Sequence, residues 1–258
     1  MADTQQRVSL NADIGEGFGA YSIGDDEALM DVLTDVNIAC GFHAGDPSVM
    51  RRRVVTAAEK NLGIGAHVGY PDLRGFGRRH LQVSASDIYD DTVYQIGALQ
   101  GMCSTVGVRV KYIKPHGALY HDAWTDEETA DAVARAAHDV DSALAFVCPP
   151  DSAMAIRAAA HSLRVVAEGY MDRGYLADGH LAPRSHPDAL VHDPQLAAAR
   201  ALGMLQEGQV LAVTGETVAV RPQTVCVHSD SPGAAALARA VRARLEGEGF
   251  DVASFTRD

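Results

Sequence analysis

The sequence lacks most of the signatures from which a function is read directly. It contains no Gly-x-x-x-x-Gly-Lys-Ser/Thr phosphate loop and no Gly-x-Ser-x-Gly nucleophile elbow. Gly15-Glu16-Gly17-Phe18-Gly19 is rich in glycine but lacks the dinucleotide fingerprint and its ribose-binding acid. Standard ATP and serine-hydrolase sites are therefore not expected. Its four cysteines, Cys40, Cys103, Cys148 and Cys226, are far apart and form no Cys-x-x-Cys pair, which argues against a zinc knuckle or a redox motif. Three of them sit in apolar runs, as small buried hydrophobes do. No apolar run is long enough to cross a bilayer. Lysine is scarce, three residues against nineteen arginines, and the net charge is −12. An acidic chain is a poor binder of phosphate backbones, so nucleic acid is not an expected partner.

What remains is an ordinary globular composition, 47% hydrophobic and 22% charged over 258 residues. The start, Met1 to Arg7, is polar and lacks the basic-then-apolar order of a secretory signal, so a cytoplasmic location is expected, with no membrane association. Strand-like runs fall near 8–13, 36–42, 63–67, 108–114, 143–148, 164–168, 210–214 and 224–228. Helix-like stretches fall near 25–34, 47–62, 86–106, 126–140, 151–162, 194–207 and 232–247. Asp46-Pro47, Asp193-Pro194 and Ser231-Pro232 each offer a capping side chain and then a proline at the first helical position. Gly63, Gly107 and Gly249 stand where helices should stop. Repeated strand–helix alternation, with no linker or low-complexity segment, predicts an α/β fold: a single (β/α) barrel domain over residues 1–258.

Polar residues cluster where these strands should end. Asn11-Ala12-Asp13-Ile14-Gly15-Glu16 follows the first run and His43 the second. His67 follows the third, Lys114-Pro115-His116 the fourth and His228-Ser229-Asp230 the last. The carboxyl ends of barrel strands share one rim, where catalytic residues gather. Asp13 and Glu16 suit acid–base work or a divalent ion. Asp13, His43 and His67 make a ligand set familiar for zinc and related ions, although histidines that simply hydrogen-bond within a pocket would read the same way. Lys114 can neutralise a carboxylate or an oxyanion, and His116 can carry a proton. Arg78, after Gly75-Phe76-Gly77, suits a substrate carboxylate, as do Arg173 and Arg184 in a long irregular stretch over 168–190. Asn11 and Asp72 complete the candidate substrate-binding residues. His121 is expected to open a loop, and His138 and His161 to lie in helices.

At these motifs the sequence resembles the LamB/YcsF family, also known as the A subunits of 5-oxoprolinase. The matching stretches include Leu10–Glu16, Asn37–Asp46, Gly65–His67, Gly69–Asp72, Gly75–Arg78, Tyr94–Leu99, Lys114–Tyr120, Asp172–Tyr175 and Val225–His228. They lie in order along nearly the whole chain. Val68, Met171 and Ser229 stand where the family usually has proline, alanine and glycine. The resemblance implies a seven-stranded barrel like that of glycoside hydrolases and polysaccharide deacetylases. It also implies ATP-dependent opening of the lactam 5-oxo-L-proline to L-glutamate, with partner subunits B and C. Deacetylases of the wider superfamily hold a metal through an Asp and two His, which by analogy would be Asp13, His43 and His67. Two other readings stay open: a stand-alone metal-dependent amidohydrolase or deacetylase, and a non-catalytic oxoproline-binding subunit.

Overall fold

The structure is a computed structural model that describes residues 6–231 and 233–257. In chain order its elements are β1 (Arg7–Ile14), α1 (Asp26–Met30), β2 (Asp35–Ala39), α2 (Pro47–Glu59) and β3 (Gly63–Val68). A 3-10 turn (Leu73–Gly75) leads to α3 (Ala85–Ser104), β4 (Tyr112–Pro115), α4 (Gly117–Thr125), α5 (Glu127–Val140), β5 (Ala145–Cys148) and α6 (Ala153–Ala160). The chain continues with β6 (Arg164–Tyr170), α7 (Pro194–Gln206), β7 (Gln209–Leu211), β8 (Thr217–Ala219), β9 (Thr224–Val227), α8 (Ala234–Gly247) and β10 (Asp251–Val252). The main sheet runs β10-β1-β2-β3-β4-β5-β6-β9, and β1 also pairs with β9. Seven parallel strands thus close into a (β/α) barrel, with β10 added beside β1.

Strand sequence explains the closure. Every residue of β2, β3, β4, β5 and β9 is buried, as in parallel strands covered on both faces. In β1 the apolar residues Val8, Leu10, Ala12 and Ile14 alternate with Ser9, Asn11 and Asp13, so one face of the strand is a buried polar row.

Two compact units divide the chain. One comprises residues up to Ala12, Gly24–Asp35 and Ala167 onward; the other comprises Asp13–Ile23 and Val36–Val166. In the first, α7 packs on α8, α1 and β10 also contact α8, and β1 pairs with β9. In the second, α3 packs on α5, α6 packs on α4 and α5, and β4 pairs with β3 and β5.

Several expected boundaries are corrected. The stretch 210–214 is not a barrel strand: β7 pairs antiparallel with β8 in a separate hairpin. β4 begins only at Tyr112, and Gly117–Thr125 forms a helix that places His121 in a helix, not a loop. Asp46 and Asp193 cap α2 and α7 as predicted, accepting from Ser48 and Val49 N–H and from Gln195 N–H. α8 instead starts at Ala234 behind Gly233, with no side-chain cap, so Ser231 is not its cap. Pro232 and the polar Met1–Gln5 lie outside the described residues. After α2 the left-handed residue is Asn61, while Gly63 already belongs to β3. Among the described residues no helix is long and apolar enough to cross a membrane.

Candidate functional site

The second unit gathers residues from four successive strands and the loops that leave them. β1 ends in Asp13-Ile14, and Gly15 turns in the left-handed region to deliver Glu16. β2 carries Asn37, and its following loop carries His43. On β3, Gly65 and His67 share a face; on β4, Tyr112 and Lys114 do. Parallel register sets Gly65 beside Tyr112 and His67 beside Lys114.

Asp13 is the hub of a buried polar chain. Lys114 Nζ and Asn37 Nδ2 each donate to Asp13 Oδ1 at 2.9 Å, and Tyr112 Oη donates to Asn37 Oδ1 at 2.8 Å. All four residues are at most 3% exposed, so the Asp13–Lys114 ion pair exists only because each charge satisfies the other. The Tyr112 ring reaches Asn37 by lying over Gly65. A Cβ on that glycine would sit 2.1 Å from the ring.

Beside this chain of bonds, Glu16, His43, His67 and His116 form a second buried cluster. One ligand atom from each lies within 4.8 Å of all the others. Glu16 Oε1 is 3.3 Å from His43 Nε2, 3.4 Å from His116 Nδ1 and 4.0 Å from His67 Nε2. His43 and His116 stack face to face at 3.8 Å, and His67 stands edge-on to both. Gly77 makes the stack possible: its φ is +64°, and a Cβ there would fall 2.6 Å from His43 Cβ and 2.9 Å from His116 Cδ2.

Backbone carbonyls fix two of the ring tautomers. His67 Nδ1 donates to the Lys114 carbonyl at 2.9 Å, and His116 Nε2 donates to that of Phe76 at 2.8 Å. The remaining nitrogens, His67 Nε2 and His116 Nδ1, face each other at 3.0 Å, each offering a lone pair when its ring is neutral. Burial pushes His43 and His116 well below the ordinary histidine range, and a proton on a neighbouring ring would push them further. Convergent nitrogen lone pairs and a carboxylate oxygen want a cation between them. A tetrahedral ion with bonds of about 2.1 Å separates its ligand atoms by roughly 3.4 Å, near the 3.3 and 3.4 Å from Glu16 to His43 and His116 and shorter than the 4.0 Å from Glu16 to His67. The cluster therefore fits a divalent metal. The cluster overlaps the expected ligand set: His43 and His67 belong to both, Glu16 and His116 stand with them here, and Asp13, paired with Lys114, lies 3.3 Å from His67 Nε2.

The candidate substrate residues are placed less uniformly. The Arg78 guanidinium lies over the Phe76 ring, 4.8 Å from its centroid, and its charge is felt at His43. Asp72 caps the 3-10 turn through Gly75 N–H and is gripped by Arg79, which holds its carboxyl below the usual range. In the other unit, Asn11 donates to Thr224 Oγ1 at 2.8 Å. Arg173 donates to the carbonyls of Ala182 and Ala189, and Arg184 reaches Asp230 at 3.5 Å.

Sequence reasoning assigned no role to Asn37, Tyr112, Asp172 or His228. Asn37 is a polar residue inside an apolar strand, and Tyr112 stands two residues before Lys114; both signals were available. Asp172 and His228 pair in the first unit. His228 donates to Asp172 through its backbone N–H at 2.9 Å and through Nδ1 at 3.0 Å, and its ring stacks on Tyr170. Burial works to raise the Asp172 carboxyl, but His228 and Arg173 outweigh it and hold it below its ordinary value.

The sequence matches the LamB/YcsF family over residues 8–258. It is 50% identical over 247 residues to the A subunit of 5-oxoprolinase from Symbiobacterium thermophilum, covering 96% of this chain and 95% of that protein. The corresponding Nocardia farcinica protein is 46% identical over 248 residues, covering 96% and 99%. Among solved structures, the lactam utilization protein of Thermus thermophilus superposes with a TM-score of 0.92 at 44% identity, covering 97% of this chain and all (100%) of that one. A family 4 carbohydrate esterase from Streptomyces lividans shares the fold, with a TM-score of 0.52 at 13% identity over 96% of this chain and 92% of that one. With its motifs in order and its full-length relatives at about half identity, the chain belongs to the LamB/YcsF family.

Proposed function

We propose that this chain is the lactam-opening subunit of an ATP-dependent 5-oxoprolinase in the cytoplasm, converting 5-oxo-L-proline to L-glutamate together with partner subunits B and C. The observation that carries the reading is the buried Asp13–Lys114 pair beside the Glu16–His43–His67–His116 cluster, in a chain whose full-length relatives are named as the A subunits of 5-oxoprolinase. A five-membered lactam is a poor electrophile, and coupling its hydrolysis to ATP supplies both driving force and an activated amide oxygen. Energy coupling of this kind suits a multi-protein complex, since the chain has no phosphate loop of its own.

The chain's own residues divide the work. Lys114 places a fixed positive charge where an oxyanion develops when water attacks the ring carbonyl. Asp13, held by two donors, accepts the proton that the attacking water gives up and returns it to the ring nitrogen as the C–N bond breaks. Glu16, His43, His67 and His116 would hold a divalent ion, which would acidify a bound water and polarise the carbonyl. In this assignment His116 serves the metal group and is not a free proton carrier. Arg78, at the edge of the cluster, takes the substrate carboxylate.

A second reading, a self-sufficient metal-dependent amidohydrolase, draws on the fact that every residue of the cluster comes from this one chain. One experiment separates the two: glutamate release from 5-oxoproline by the lone chain and by the complete three-part complex, each with and without ATP. ATP-dependent release by the complex alone supports the proposal. ATP-independent release by the lone chain supports the second reading. A complex that opens other lactams and never oxoproline overturns the substrate assignment.

A further inference from the structure

We propose that Asn37 and Tyr112 are positioning residues for this chemistry: a two-link relay from β4 through β2 that sets the angle of the Asp13 carboxylate. The inference rests on the reading of Asp13 as the proton acceptor, and it names the residues through which that role is prepared. Tyr112 Oη donates to Asn37 Oδ1 at 2.8 Å. An amide held at its oxygen can present only its nitrogen on the other side, and Nδ2 donates to Asp13 Oδ1 at 2.9 Å. Without the tyrosine hydroxyl the amide could turn over and aim its oxygen at the carboxylate, acceptor against acceptor. The relay thus chooses between two orientations of nearly identical shape.

Geometry makes the choice firm. Asn37 and Tyr112 are fully buried, so water cannot replace either link at low cost. The ring is steered by Gly65, where any Cβ would meet Tyr112 at 2.1 Å. Lys114, on the same strand face two residues beyond Tyr112, donates to the same Asp13 oxygen at 2.9 Å. Asp13 Oδ1 therefore takes two donors from different strands, and the plane of its carboxylate is set by both.

The test uses the reconstituted three-part complex, with glutamate release as readout. Tyr112→Phe keeps the ring and removes the hydroxyl. It is expected to lower kcat about 10-fold while KM changes little, because orientation and not substrate binding is lost. Asn37→Ala should lower kcat by about 100-fold. In this relay Tyr112 acts through Asn37, so the double variant should be no slower than Asn37→Ala alone. Gly65→Ala, which displaces the ring from its seat, should reproduce the Tyr112→Phe defect with no change at any hydrogen-bonding residue. Circular dichroism melts identify any variant that fails to fold. If Asn37→Ala is lost in this way, the comparison of Tyr112→Phe with Gly65→Ala decides alone. Additive losses in the double variant, or a defect confined to KM, overturn the relay. Full activity in Asp13→Asn overturns the reading on which it rests, whereas an inactive Asp13→Asn beside an unaffected Tyr112→Phe overturns the relay alone.

Discussion

Lys114 Nζ lies 2.9 Å from Asp13 Oδ1, and both side chains are at most 5% exposed. Neither charge can turn to water if its partner is removed. Lys114→Met should therefore destabilise the protein by about 3–5 kcal/mol, since it leaves a buried carboxylate uncompensated. Adding Asp13→Asn should recover much of that loss while activity stays absent. Urea melts of the two single variants and the double variant give the coupling directly.

His67 and His116 present facing lone pairs, and this arrangement should be relieved by metal. Zinc or another divalent ion is expected to bind at one equivalent per chain and to raise the thermal midpoint. His116→Ala and Glu16→Gln should weaken binding by at least about 10-fold. Elemental analysis and metal titration monitored by melting check this. Binding that survives loss of both side chains would place the ion elsewhere.

Buried neutral imidazoles carry a definite pH signature. His43 and His116 have folded pKa values well below the ordinary 6.5, so the unfolded chain takes up their protons first as pH falls. Stability should be fully held above about pH 6.5 and decline below it, by up to about 1.4 kcal/mol per pH unit for each ring. Asp172, held below its ordinary 3.8, has the same sign in a lower window: its contribution is present above that value and is lost as pH falls further. Urea melts of the metal-free protein from pH 8 down to about pH 5 test the histidine window. Flat stability there would show that the two rings take up protons in the fold at the same pH as in the unfolded chain.

All four cysteines are free and buried, and burial pushes the Cys40 and Cys103 thiols up to about 12. A thiol reagent at pH 8 should label none of them in the folded protein and all four after denaturation. Rapid labelling of the native chain would show that a helix or strand opens locally.

Much of this was legible in the sequence. The barrel followed from alternation, and Asp13, Glu16, His43, His67, Lys114 and His116 were singled out because each follows an apolar run. The finer division of labour was not legible. That Glu16 reaches His43 and His116 as well as His67 depends on Gly15, whose left-handed turn carries it across to the rings, and a sequence does not display that torsion. The α4 helix was hidden by its glycine start and its aromatics, which tertiary packing accommodates at Tyr120 and Trp124. The stretch 210–214 looked like a barrel strand because a hairpin strand and a short parallel strand share the same apolar pattern.

Arg173, a candidate anion clamp, donates from its guanidinium to the carbonyls of Ala182 and Ala189, and its own carbonyl accepts from Arg200. A span with almost no regular secondary structure is thereby riveted from inside by this side chain, alongside backbone bonds such as Gly174 N–H to the Ala189 carbonyl and Ala182 N–H to that of Gly174. Proteases that cut at unstructured stretches should find the bonds around Ala182 and Ala189 as resistant as those of a helix. Trimming that one side chain should turn the same span into the first place where the polypeptide is nicked.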